Sequence, residues 1–406
     1  MDSLNIYIDV YSVMTTPVVS EIQRVVRETT RRLIQVQGRA SWKLYLVRWQ
    51  EEKSAFHILD NNMYLLWLEG NATDSQCLSG QMLLAEQIPA NSVFFDLDSV
   101  WMNKPSRSYL YSVLKHRDVK ISALIYDIVP ITQPQYIQVD KNYMSFPKYT
   151  DAVLAYADLI FINSRFVENE LEQLAAQMGR QRPALVVAPL GSDFTLCRKS
   201  DPKIDQKVKQ IARSAPFLLT VDAVEPRKNH KVILDAFDHF LKKSGVNIIF
   251  VGQAGLGSQA VIKRIKRHPQ NKKRIFHFEE TNSETLSFLY QEALYTVVPT
   301  YVDGSGLPAV ESLTAGTPAL LSDIPVMHEA AGDYAGYFAP DDPEQLAKLV
   351  LRGLSEPDHY EEVRKKIASY RPASWDDFVE NLIRGLLTLR KNVGAETQDG
   401  AQGENE

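Results

Sequence analysis

The sequence predicts an α/β protein built as two successive parallel sheets wrapped by helices, and three observations carry that prediction. Short β-branched apolar runs alternate with helical segments along most of the chain. At 406 residues the chain exceeds one ordinary core, so two units of about 200 residues each are expected. A polar, charged stretch from Arg198 to Gln206 interrupts the alternation, and a fresh α/β pattern begins after it. In such sheets ligands bind beyond the carboxyl ends of the strands, and two successive units leave a cleft between them.

The first strand is Leu4–Val10. A loop through Thr15, Thr16 and Pro17 follows, and Ser20 can cap a helix from Glu21 to Val36. That helix carries Arg24, Arg27, Arg31 and Arg32, which read as a solvated basic face or as a contact for an anionic acceptor or membrane. Strands follow at Trp42–Trp49, Val93–Phe95, Lys120–Tyr126 and Leu159–Ile162, with helices at Ser106–His116, Phe146–Ala157 and Arg165–Gln177. The run Leu185–Asp193 is the last strand and turn of this unit.

Three strand ends could face a cleft. Asp96 and Asp98 are two carboxylates at i, i+2, a spacing able to chelate a divalent metal, although a strand-end turn with a capping aspartate is the simpler reading. Tyr126-Asp127 leaves a buried strand as a polar pair, with Pro130 fixing the exit. Ser164 is placed to cap the helix that begins at Arg165.

In the second unit the strands are Pro216–Val221, Asn247–Val251, Ile275–Phe278, Leu294–Pro299, Ala319–Ser322 and Gly336–Phe338, with an amphipathic helix over Lys231–Lys242. Two strand-end features stand out. Arg227 and Lys228 follow the first of these strands, a guanidinium fork and a point charge suited to a diphosphate. The run Tyr301–Glu311 follows the fourth, where Gly304 and Gly306 permit a tight turn and close approach, and Pro308 sits in a first helical turn. Amides at that helix start suit phosphate or sugar oxygens, and Asp303 and Glu311 bracket them. A ligand carrying both phosphate and hydroxyls fits, such as a nucleotide-sugar.

Composition narrows the partners. With 45% hydrophobic residues, 23% charged residues and net charge −5, nothing gathers nucleic acid. Cys77 and Cys197 have no metal or redox spacing, and no apolar run reaches the length of a membrane span. No signal peptide precedes the first strand, so the expected compartment is the cytoplasm. The segment from Asn392 to Glu406 lacks apolar periodicity and is expected to be disordered.

Taken together, these residues resemble the family 4 glycosyltransferases, retaining enzymes of the two-Rossmann-domain type called GT-B. Glu225–His230 is similar to the family's E-P-R-K-N segment, Asp303–Glu311 to its E-G-F-G-L-P-x-x-E motif, and Ala315–Pro318 to the A-x-G-x-P that follows. Ser322–Pro325, Glu329, Gly332, Asp333, Tyr337, Phe338, Asp342, Pro343 and Trp375 continue the likeness. The first half matches more loosely, at Ile22–Arg24, Tyr126-Asp127, Pro130, Ser164 and Gly191–Asp193. Bacterial members that build O-antigen, capsule or exopolysaccharide are the most similar.

The resemblance implies an acceptor-side domain over 1–197, a nucleotide-sugar domain over 207–374, a helix over 375–391 returning to the first domain, and a disordered tail over 392–406. It implies transfer of a hexose, with retention, from a nucleotide-diphosphate sugar to a glycan or lipid-linked glycan. Arg227 and Lys228 would hold the diphosphate, Glu311 the ribose, and Asp303 the donor sugar. The backbone of Gly304, Ser305, Gly306 and Leu307 would meet sugar and phosphate, and Tyr126 and Asp127 would face the reacting sugar. No cofactor or metal is implied. The partners are donor and acceptor, with the protein free in the cytoplasm or at the inner face of the membrane. Lys228→Ala or Glu311→Ala is expected to abolish transfer with the fold intact.

Four positions depart from the family pattern: Asp303 for Glu, Ser305 for an aromatic residue, Tyr126 for His and Glu21 for Gly. They fit substrate specialisation, or else a non-catalytic scaffold subunit. An epimerase of the same shape and a metal-dependent transferase are further alternatives.

Overall fold

In the computed structural model the described residues are 3–16, 20–39, 41–136, 143–181, 183–192 and 198–390. Asp193, Cys197 and the tail expected to be disordered lie outside them. The first sheet contains β1 (Leu4–Asp9), β2 (Trp42–Gln50), β3 (Ala55–Leu59), β4 (Leu78–Leu83), β5 (Ser92–Asp96), β6 (Lys120–Ile125), β7 (Leu159–Ile162) and β8 (Leu185–Val187). Their spatial order is β4-β3-β2-β1-β5-β6-β7-β8. The second sheet contains β9 (Phe217–Val221), β10 (Asn247–Val251), β11 (Ile275–Phe278), β12 (Tyr295–Val298), β13 (Ala319–Ser322) and β14 (Gly336–Phe338), in the order β11-β10-β9-β12-β13-β14.

The first sheet is not wholly parallel, which corrects the expectation. Strands β3 and β4 were absent from the sequence reading, and both pair antiparallel. The link Glu51–Ser54 is too short for a crossover and can only reverse the chain, with Ser54 at φ 46°. In both sheets the strand order reverses direction beside the first strand of the unit, between β1 and β5 and between β9 and β12. The open crevice of each sheet therefore lies at the carboxyl ends of these strands.

Helix α1 (Glu21–Val36) runs as expected behind Ser20, whose amide donates to the Gln23 side chain at 3.1 Å. Its arginines are paired while staying partly exposed. Arg31 and Arg32 pair with Glu28, Arg32 also with Asp376, and Arg27 lies over the Trp67 ring. Arg24 reaches across to Glu311. Helix α2 (Arg107–His116) puts Arg107 between Asp9 and Asp96 at 2.8 and 2.7 Å, and Tyr111 also donates to Asp96. Asp98 accepts from the amides of Val13 and Ser99. The carboxylates spaced for a metal are thus engaged in tying together the ends of β1 and β5. Helix α3 (Arg165–Gln177) begins as predicted behind Ser164.

In the second unit, α4 (Leu307–Thr314) and α5 (Pro325–Ala331) follow β12 and β13. The helix predicted over Lys231–Lys242 spans His230–Ala236 and continues to Leu241 as a wider π turn. The last helix, α6 (Trp375–Thr388), leaves the second unit and packs on the first. Its Trp375, Phe378, Val379, Leu382 and Leu386 share one apolar cluster with Leu4, Ile6, Val25, Val26 and Phe161. Gly191 is required there, since a Cβ would meet the Trp375 backbone nitrogen at 2.3 Å. Among the described residues no helix is long and apolar enough to cross a membrane.

Leu382 is fully buried on α6, whereas Leu351 is 38% exposed. Leu382→Ala should cost about 2–5 kcal/mol of stability in chemical denaturation, and Leu351→Ala no more than about 0.5 kcal/mol.

Candidate active site

The loop after β12 is held by its own first residue. Asp303 Oδ1 accepts from the amides of Gly304, Ser305 and Gly306 at 2.8, 3.2 and 3.4 Å. The loop amides expected to meet phosphate or sugar are therefore directed to this carboxylate. An aspartate at the start of a turn bonds the amides just ahead of it, where a side chain one methylene longer would reach past them. Gly304 and Gly306 are both required. A Cβ on Gly304 would meet the Tyr126 carbonyl oxygen at 2.2 Å, and Gly306 sits at φ 65° ahead of α4.

Asp303 Oδ2 meets Lys228 Nζ at 2.6 Å, and Asp222 approaches the same ammonium at 2.5 Å. Lys228 is 3% exposed, so its charge is enclosed between two carboxylates. Burial acts against that charge, but Asp222 and Asp303 outweigh it and raise the Lys228 pKa above the usual lysine range. Burial alone would raise Asp303, yet Lys228 and then Arg227 bring it down to about 2. The turn that presents these cations passes through Asn229 at φ 49°, a conformation asparagine tolerates, and Asn229 is fastened to the Pro340 carbonyl at 2.8 Å. Arg227 Nε donates to Glu225 at 2.8 Å, and its carbonyl accepts from Tyr301 and Thr300.

The N-terminal unit closes the other side. Tyr126 donates to the Leu97 carbonyl at 2.8 Å, and Asp127 accepts from the Val129 amide at 3.1 Å. Both line one cavity with Ile22, Asp98, Trp101 and Arg227. Burial raises the Asp127 pKa, with Arg227 opposing. Ser164 serves as cap and cleft residue together: it accepts from the Val167 amide at 3.2 Å and donates to the Gly304 carbonyl at 2.8 Å. Glu329 of α5 accepts from the amides of Arg165 and Phe166, a carboxylate on the positive end of α3. Tyr136 stacks on Tyr301 at 5.0 Å between ring centroids.

Glu311 is 3% exposed, and both its oxygens have partners, Arg24 and the Tyr290 hydroxyl (2.9 Å). Ser305 donates to Glu21 across the cleft at 2.7 Å. All the site residues expected from the sequence thus lie along one seam between the two sheets. Asp222, Tyr290 and the pairing role of Arg24 were missed. Asp222 carried a signal, an acid directly after a strand end. Tyr290 carried none, because it reaches Glu311 from a separate helix.

Residues 201–370 match the family model described as glycosyl transferases group 1. Over those residues the chain is similar to the group 1 glycosyl transferases, and its two sheets are arranged as a GT-B fold. Arg227, Lys228, the Asp303–Leu307 loop and Glu311 all fall inside the matched segment. The serotype-specific mannosyltransferase WbdA of Escherichia coli is 26% identical over 271 residues, covering 65% of this chain and 33% of WbdA. The chain thus spans about a third of the length of that relative. O-antigen chain mannosyltransferase B of Escherichia coli is 24% identical over 298 residues, 71% of this chain and 77% of the relative. Among solved structures, sucrose-phosphate synthase from Thermosynechococcus elongatus has TM-score 0.64 at 15% identity, covering 95% of this chain and 99% of that one. Anabaena HepE, solved with UDP and glucose, has TM-score 0.65 at 12% identity, covering 94% and 99%. Both share the fold of this chain.

Two measurements check this geometry. Lys228→Ala would leave Asp222 and Asp303 buried without their cation, so the fold is not expected to stay intact as the sequence suggested. A loss of about 3–5 kcal/mol should appear in chemical denaturation. The second concerns Glu21, whose pKa burial and then Asp303 raise from 4.5 to about 7. Between those values the folded chain keeps a proton that the unfolded chain has lost, so stability falls as pH rises through the window. The melting temperature of Glu21→Gln relative to wild type should climb from pH 4.5 to pH 7 and level off above it.

Proposed function

We propose that the chain transfers a hexose from a nucleotide-diphosphate sugar, with retention, to a glycan or lipid-linked glycan in surface-polysaccharide synthesis. The observation that carries this reading is the meeting of Arg227, Lys228, the glycine loop and Glu311 at the carboxyl ends of β9 and β12, opposite Tyr126 and Asp127. The mannosyltransferase names of the relatives favour mannose as the transferred sugar. Arg227 and Lys228 oppose the charge that grows on the diphosphate as the bond between anomeric carbon and phosphate oxygen breaks, and that electron pair leaves with the diphosphate. The acceptor oxygen bonds to the anomeric carbon, and its proton passes to a donor phosphate oxygen. Glu311 takes the ribose hydroxyls by exchanging its bond to Arg24. Asp303 holds the loop and Lys228 in place. Tyr126 and Asp127 wall the sugar from the N-terminal side.

The reading takes no metal, and Asp96 and Asp98, the pair spaced for one, are held by Arg107 and by backbone amides. It places the protein in the cytoplasm or at the inner face of the membrane, where a lipid-linked acceptor is met. A non-catalytic scaffold is the second reading, favoured by the internal pairing of Lys228, Asp303 and Glu311.

Transfer from a panel of nucleotide-sugars that includes GDP-mannose and UDP-glucose separates the two, because a scaffold releases no nucleotide with any donor. Arg227→Ala should lower turnover on the order of a hundredfold. Added chelator should leave turnover unchanged, and its loss in chelator would sink the metal-free reading.

A further inference from the structure

Glu21 opens α1, and Ser305 lies in the glycine loop of the facing domain. These are two of the four positions that depart from the family pattern, and they bond to each other at 2.7 Å. Each alone reads as a lost feature. Together they form one built contact across the cleft, with the carboxylate on the N-terminal side.

That contact uses one oxygen. Glu21 Oε1 takes the Ser305 hydroxyl, and among the described residues Oε2 has no hydrogen bond or ion pair. The side chain is half-buried and faces Asp303, Lys228 and Asp222 from the second domain, with Tyr126 from the end of β6. On its own helix Arg24 is turned away to Glu311. The carboxylate expected to meet the donor sugar, Asp303, has both oxygens spent on loop amides and Lys228. The seam therefore holds a sugar-side carboxylate with an open oxygen, contributed by the other domain.

We propose that Glu21 reads the hydroxyl groups of the donor sugar, taking from across the cleft the part that Asp303 cannot play. This deepens the nucleotide-sugar reading and rests on it. The chemistry sets the orientation. A carboxylate repels the diphosphate and accepts hydrogen bonds from hydroxyls, so it discriminates the sugar end of the donor from the nucleotide end. The bond to Ser305 fixes its direction, leaving Oε2 to the ligand.

Calorimetric titration tests this with GDP, GDP-mannose, UDP and UDP-glucose against wild type, Glu21→Gln, Glu21→Ala and Ser305→Ala. The readout is the ratio of nucleotide to nucleotide-sugar dissociation constants for the matching pair. Glu21→Ala should reduce that ratio on the order of tenfold, Glu21→Gln should reduce it less, and nucleotide binding alone should be unchanged or tighter. Ser305→Ala should fall between wild type and Glu21→Ala. An unchanged ratio in both Glu21 variants, or equal weakening of nucleotide and nucleotide-sugar, overturns the assignment while leaving the nucleotide-sugar reading standing. Wild type that binds none of the four ligands overturns that reading itself. Unchanged melting curves at pH 5 show that the variants are folded.

Discussion

The buried ammonium of Lys228 is the interaction on which the cleft depends. A lysine that is 3% exposed is tolerable only with carboxylates around it, and Asp222 and Asp303 supply two. Asp303 then spends its other oxygen on three loop amides, so the charge that fixes Lys228 also fixes the glycine loop. The loop in turn brings the Gly304 backbone against the Tyr126 carbonyl and the Ser164 hydroxyl. One ion cluster therefore shapes the loop through which the second domain meets the first.

Much of the seam is polar, beside the Tyr136–Tyr301 stack and Phe166 against the α5 cluster. Arg24 to Glu311, Ser305 to Glu21, Ser164 to Gly304 and the Glu329 cap on α3 each join a group of one domain to a group of the other. Such contacts exchange readily with water or with a ligand's hydroxyls, unlike interdigitated apolar side chains. This composition suits a cleft that must separate to admit a substrate and close on it.

Much of the fold was legible because parallel strands buried on both faces leave unbroken apolar runs, and Leu159–Ile162, Asn247–Val251 and Ala319–Ser322 fall where those runs are. Strands β3 and β4 were not legible. Leu78–Leu83 at the sheet edge carries Ser79, Gly80 and Gln81, which give no apolar alternation, and β3 is too short to declare itself. In the site, motif spacing placed Arg227, Lys228, Asp303 and Glu311 at one edge. What spacing could not show is direction. Whether the Asp303 carboxylate points outward or curls onto its own loop depends on one methylene and on Lys228, and Arg24 finds Glu311 only through the closing of two domains.

The returning helix α6 has a consequence for how the chain is made. The apolar cluster behind β1 and α1 includes Trp375, Phe378, Leu382 and Leu386, residues translated after the whole second domain. On a ribosome adding residues in order, the first domain emerges earlier yet waits with that face uncovered until Trp375–Thr388 have been made. The second domain closes its own sheet first, so the order of completion inverts the order of synthesis. A fragment ending at the interdomain linker would carry an exposed apolar face in place of a finished domain.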